Sequence, residues 1–119
     1  MPLVELGDLV RTSSGAIGVV RKVTQALGRP TTYVVGRTNR PVRNVVLAKS
    51  RELVQAERTM SDTARRLWEG WVPGAWVSRD LDRAGRFLDA ADERGDDADD
   101  NLTAARARLA ELLATLPKG

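Results

Sequence analysis

The sequence predicts an α+β fold, with a five-stranded small β-barrel in the N-terminal half followed by two or three α-helices, including a C-terminal helical hairpin. Short β-rich runs alternate with turn residues at about ten-residue spacing through the first half. Apolar residues then recur with a helical period. The net charge of the 119-residue chain is +6 over residues 1–50 and −3 over residues 51–119. We therefore divide it into a basic barrel, residues 1–58, and a helical region, residues 59–119.

The strand prediction follows the β-branched and aromatic residues. They concentrate in runs that predict strands at residues 3–12, 17–24, 31–35 and 42–48. Turn-forming residues separate these runs at 13–15, 26–30 and 36–41. Residues 49–53 predict a single helical turn, and residues 53–57 predict a short fifth strand that closes the barrel.

This order of four strands, one helical turn and a closing strand resembles the SH3-like small barrels, including the Tudor and KOW types. The residues that carry the resemblance are Gly7, Asp8, Val10, Gly15, Gly18, Val20 and Val23. In such barrels a Gly-Asp pair opens the first strand, and glycine at the Gly18 position lets the second strand bend. Val20 and Val23 would then point inward. The resemblance covers about residues 3–58 and implies nucleic acid, or the transcription and translation machinery, as partner.

Three helices are predicted in the second half. The first spans residues 61–71, capped by Thr59 or Ser61 and stopped by residues 72–74. The second begins after Ser78 as N-cap and stops at Gly95. The third spans residues 99–116, ends at Pro117, and forms an antiparallel hairpin with the second. Their apolar stripes need a covering surface, which is either the barrel or another protein.

The composition argues against an enzyme. The chain contains neither cysteine nor histidine, which removes disulfides, imidazole bases, thiolate nucleophiles and nearly all zinc chemistry. The acidic cluster at residues 92–100 lacks the spacing of a calcium-binding loop and predicts a capped interhelical turn. We therefore expect no cofactor and no metal. Without a signal peptide or an apolar span, we expect a cytoplasmic protein with no membrane contact.

The basic residues of the first half are the predicted nucleic-acid site. Guanidinium and ammonium groups bind phosphates without discriminating between sequences. Tyr33 is the only aromatic residue of this half, so stacked bases and an aromatic cage for methylated side chains are not expected. The alternative is a solvated surface in an arginine-biased proteome. The predicted residues are Arg11, Arg21, Lys22, Arg29, Arg37, Arg40, Arg43 and Lys49.

The tryptophans are the predicted protein interface. Three of the five aromatic residues lie within nine positions, and tryptophan is enriched where binding energy concentrates. The alternative is that they cover the barrel or the helical hairpin. The predicted interface residues are Trp68, Trp71, Trp76, Leu109 and Leu113.

Two functions remain open on the sequence. The first is a non-enzymatic binding module, whose basic barrel contacts nucleic acid or its machinery and whose helices dock. The second is a structural or adaptor subunit of a larger assembly, for example a phage particle, in which the barrel and the helices both bind proteins. The sequence leaves the oligomeric state open.

Overall fold

The computed structural model describes residues 4–25, 27–71, 74–94 and 99–116. It has an α+β fold, as the sequence predicts, with strands first and helices second. The strands are β1 (Leu9–Thr12), β2 (Ile17–Thr24), β3 (Thr32–Val35), β4 (Thr38–Pro41) and, after a 3-10 turn at Val42–Asn44, β5 (Val45–Lys49). The helices are α1 (Arg51–Trp68), α2 (Ala75–Glu93) and α3 (Asp99–Thr115).

The strands form an antiparallel sheet in the order β4-β3-β2-β1-β5. A bulge in β2 between Val20 and Lys22 lets one long strand pair with β1 along its first half and with β3 along its second. Gly18 of β2 lies so close to β3 that a Cβ atom added at this glycine would be 2.7 Å from Val35 Cγ1. The described residues show no pairing between β4 and β5, so the sheet is open and barrel closure is not established.

The inner face of the sheet carries its own small core. The buried residues are Val10, Val20, Tyr33, Val35 and Val45, with Val4 and Val23 packed beside them. The prediction that Val20 and Val23 point inward is therefore confirmed.

The prediction of the last two strands was wrong in position. Residues 36–41, predicted to be a turn, form a tight turn at Gly36 and then β4. Residues 42–48, predicted to be one strand, form the 3-10 turn and most of β5. The helical turn before the closing strand exists, but it comes about seven residues earlier than expected. Short polar strands such as Thr38–Pro41 carry no hydrophobic alternation, because an edge strand buries little.

Residues 49–57 were also predicted wrongly. They contain no closing strand, because α1 starts at Arg51 and runs without interruption to Trp68. Ser50 is its N-cap and accepts a hydrogen bond from the Leu53 amide. The predicted caps Thr59 and Ser61, and the boundary at residue 58, therefore lie inside one continuous helix.

The predicted turn between the first two helices also shifts. α1 ends at Trp68, because Gly70 adopts a φ of +76° and its amide and that of Trp71 bond the last carbonyls. α2 starts at Ala75, with Gly74 rather than Ser78 as N-cap. Residues 72–73, Gly95 and Pro117, which the sequence assigned as helix stops, lie outside the described residues.

The three helices form a bundle with its own core. Its central buried side chains include Leu53, Met60, Leu81, Leu88 and Leu112. α2 and α3 run antiparallel, since Arg106 of α3 reaches the Leu88 carbonyl and Leu109 lies beside Gly85. The helices thus pack on one another, which answers the question of what covers their apolar stripes.

The molecule is elongated. Its extents are 60 × 25 × 25 Å and its radius of gyration is 16.9 Å, against about 13.5 Å for a compact chain of this length. The N-terminus of α1 follows the sheet directly, and its C-terminus lies one helix length away, about 27 Å. The sheet and the tryptophans therefore occupy opposite ends.

Candidate functional site

The predicted nucleic-acid residues spread over the sheet half. Arg11 lies on the outer face of β1, and Arg21 and Lys22 lie exposed at the bulge of β2. Arg29 lies in the loop after β2, and Arg43 lies in the 3-10 turn. Since Thr32 pairs with Pro41, the chain segments holding Arg29 and Arg43 flank the same end of the sheet. The turn after β3 holds Arg37, and β4 holds the half-buried Arg40.

These cations are electrostatically unbalanced on the sheet. Lys49 is the exception, because its Nζ lies 2.9 Å from Glu57 Oε2 of α1. The other seven have no ionic partner among the described residues. The two acids of the first half, Glu5 and Asp8, face Arg51 and Arg94 instead. The sheet thus presents a positive field without local compensation, which attracts anions.

Tyr33 cannot provide a stacking platform. It is buried in the sheet core, and this burial, with a smaller contribution from the charge of Asp8, raises the pKa of its hydroxyl above the ordinary value. An aromatic ring must expose a face to stack on a base. Tyr33 is the one aromatic residue of residues 1–50, so this half exposes no ring on which a base could stack.

The tryptophans surround the free end of the helical bundle, where α1 ends and α2 begins. The exposed fractions are 91% for Trp68, 64% for Trp76 and 43% for Trp71. Arg66 lies over the ring of Trp71 at 5.8 Å, and Arg79 over that of Trp76 at 5.6 Å. These exposed fractions do not fit the alternative that the rings cover the sheet or the helical hairpin.

The charges around the tryptophans are balanced, in contrast to those of the sheet. Arg65 faces Asp62, Arg66 faces Asp80, and Arg108 faces Glu111. A groove of about 430 Å³ beside Trp68 separates α1 from α3, with Leu67 and Leu112 in its lining. Of the two leucines predicted for this interface, Leu113 is 48% exposed and Leu109 packs against the bundle core.

An apolar groove that the sequence analysis did not predict lies on the outer face of the sheet. Leu9, Ile17, Val46 and Ala48 line it, Asn101 of α3 forms one wall, and its volume is about 410 Å³. Arg11 lies among these apolar side chains, opposite Val46 on one side and Ile17 on the other.

A buried ion network joins the sheet to the helices. The Asp8 carboxylate is fully buried and accepts two bonds from the Arg94 guanidinium, at 2.9 and 3.0 Å. It also accepts bonds from the backbone amides of Glu5, at 2.7 Å, and Arg51, at 2.8 Å. The same guanidinium donates to Glu52 at 2.8 Å. We call Asp8, Glu52 and Arg94 the junction.

The side chains of the junction stabilise one another's charged forms. Hydrogen bonds to Asp8 above all, outweighing the opposing effect of burial, raise the pKa of Arg94, so its charge is permanent. Burial acts to raise the pKa of Glu52, but hydrogen bonds from Arg94 and Arg51 outweigh it and leave the pKa below its ordinary value. The sequence analysis named Asp8 as part of the Gly-Asp pair that opens the first strand but did not predict its ion pair, and no sequence pattern pointed to Arg94.

Other kinds of site are not evident in the part of the chain that the structure describes. No three acidic side chains there are arranged to hold a metal ion. None of the described helices combines the length and the apolar character needed to cross a membrane. Within the predicted acidic cluster, Asp92, Glu93 and Asp100 are exposed, and residues 95–98 lie outside the described residues.

No protein-family model, curated protein sequence or solved structure matches this chain. The functions proposed for its surfaces therefore rest on their geometry and charge.

Proposed function

We propose that this protein is a non-enzymatic binding module that connects two partners. Its sheet half contacts the phosphates of nucleic acid, alone or within the transcription or translation machinery. Its helical half holds the tryptophans at the opposite end for docking to a protein. The 60 Å length of the molecule supports this division, because two partners bound at the ends do not compete for space.

We further propose that the five-stranded half of this chain has the fold of the SH3-like small barrels. Three features support this: the antiparallel strand order, the bend of β2 beside Gly18, and the 3-10 turn directly before β5. Such barrels commonly use rims and one open face for ligands, and the cations of this chain lie at those places.

The observation that carries the nucleic-acid proposal is the absence of partners for seven cations of the sheet half among the described residues. Surface arginines that serve solubility are usually interspersed with acids. Here the acids of the same half are bound in the junction or beside it. A phosphate backbone supplies the missing counter-charge at several points at once.

The test is fluorescence anisotropy with a labelled DNA duplex and a labelled single-stranded RNA at about 50 mM and about 200 mM salt. We expect affinity to fall steeply with salt. Replacing Arg21, Lys22 and Arg43 by glutamine should weaken binding to all sequences alike and lower the salt slope by about one for each lost contact. The matched control replaces Arg106 and Arg108 of α3, which face Asp89 and Glu111. Absence of binding at low salt, or equal losses in both variants, would exclude this function.

The second candidate is an adaptor that binds proteins at both ends. The exposure of Trp68 and Trp76 favours it, since large exposed aromatic surfaces mark interaction sites. The balanced charges around them disfavour phosphate as the ligand of that end. Light scattering over a concentration series, with Trp68→Ala as the variant, tests self-assembly. A monomer at every concentration would leave only a different protein as partner of this end.

A further inference from the structure

The two edges of the sheet are protected differently. β4 is four residues long, carries Arg40, and ends in Pro41, features that discourage a further strand. β5 has the sequence Val-Val-Leu-Ala-Lys, and its one charge, on Lys49, is held by Glu57 of α1. Among the described strands, β5 pairs with β1 alone. The β5 edge is therefore open to pairing.

The register shows which backbone groups face this edge. The Ser13 amide donates to the Asn44 carbonyl at 2.9 Å, and Arg11 pairs with Val46 two positions further along. Hydrogen-bonded pairs alternate in an antiparallel ladder. The backbone of Val46 is thus directed toward β1, and the N–H and C=O of Leu47 are directed toward the open edge.

The groove beside this edge combines apolar surface with a cation. Val46 is 65% exposed and Ile17 is 57% exposed, and Arg11 between them has no ionic partner among the described residues. A phosphate would satisfy Arg11 and leave the apolar side chains uncovered. A second copy of this chain would bring the same cations to the same face, where like charges repel.

We propose that β5 accepts an extended segment of a partner protein as an additional strand. Backbone bonds form at Leu47, an apolar side chain of the segment packs against the adjacent Val46, and one of its carboxylates meets the long side chain of Arg11, one strand further in. Pairing of a peptide with an exposed sheet edge is a general mode of recognition, in which alternate side chains give the specificity. This surface shares Arg11 with the proposed nucleic-acid face, but it does not include Arg21, Lys22 or Arg43, the cations that the nucleic-acid test replaces.

The probe is a blocked peptide with glycine ends in which valine and glutamate occupy every second position and threonine lies between them, so that valine and glutamate share one face of the strand. It is titrated into the ¹⁵N-labelled full chain and followed by NMR. We expect shifts confined to β5 and the neighbouring part of β1, and slower amide hydrogen exchange at Leu47. Val46→Ser should weaken binding by about tenfold through lost apolar contact. This variant keeps the net charge, so its nucleic-acid binding should be unchanged, and the two proposals can fail independently.

Charge reversal tests the role of Arg11. Arg11→Glu should lose the glutamate peptide and gain one in which lysine replaces glutamate. Arg37→Glu, an exposed turn residue with the same change in charge, should show neither effect. Equal effects in the two variants, shifts that avoid β5, or self-association that disappears in Val46→Ser would each overturn the proposal.

Discussion

Arg94→Met is the substitution that we expect to uncouple the two halves of this molecule. The sheet and the bundle have separate cores, and among the described polar contacts that cross between them the junction is the one that holds a fully buried carboxylate, that of Asp8. Methionine preserves much of the apolar stem of Arg94 and removes its guanidinium. The Asp8 carboxylate then stays buried with two backbone donors in place of four hydrogen bonds.

The expected loss of stability is about 3 kcal/mol. Each charge-assisted hydrogen bond contributes about 1.5–3 kcal/mol, and Asp8 loses two. Breaking a buried ion pair from one side costs about 3–5 kcal/mol. The Arg94 side chain is 17% exposed, and the remaining amides still solvate Asp8, so the value should lie at the low end. With a urea m value of about 1.5 kcal/mol/M, the midpoint falls by about 2 M.

Urea unfolding followed by two probes measures both the loss and the uncoupling. All three tryptophans belong to the helical half, so their fluorescence reports the bundle, and NMR signals of β2 amides report the sheet. We expect the two transitions to coincide in the parent protein and to separate in Arg94→Met. Arg86→Met, on the exposed face of α2, should change stability by less than about 0.5 kcal/mol. If Arg94→Met behaves like Arg86→Met, the junction does not couple the halves.

Three further predictions concern single side chains. Folding lowers the pKa of Glu52 from its ordinary value of 4.5. The unfolded chain therefore binds more protons near this pH, and the stability of the protein falls as the pH drops below about 4.5. Calorimetry should show a smaller fall of stability with pH in Glu52→Gln. Gly18→Ala should cost about 1–3 kcal/mol through the clash with Val35, whereas Gly85→Ala, where a Cβ atom would meet its nearest neighbour at an ordinary 3.8 Å, should raise stability by about 0.5–1 kcal/mol in thermal unfolding. Thr63 is fully buried and its hydroxyl has no hydrogen-bond partner in the described structure, so Thr63→Val should be neutral or stabilising by up to about 1 kcal/mol in urea unfolding, and a clear loss would show that the hydroxyl is satisfied.

Local pattern predicted those elements whose own residues specify them. β2 has the predicted bounds, because its dense β-branched run lies between two turn clusters. α3 begins at the predicted residue, because its leucines repeat with the helical period. The prediction of a closing strand within residues 49–57 was wrong, because Leu53 and Val54 suit a strand as well as a helix. The helix is favoured there by the cap of Ser50 and by Asp8, which bonds the first amide of α1 from 43 positions away.

The sequence by itself determined the order of strands and helices, the separation of charge between the halves, and the placement of most of the cations on the surface. Arginine and lysine almost never bury without a partner, so composition alone predicts their exposure. Only the tertiary structure decided that Trp68 and Trp76 are largely exposed, that apolar side chains surround Arg11, and that Arg94 meets Asp8 across 86 positions. The helices cover their own apolar stripes, so these two rings are not needed in the core, and no local pattern encodes which distant charge a buried carboxylate will find.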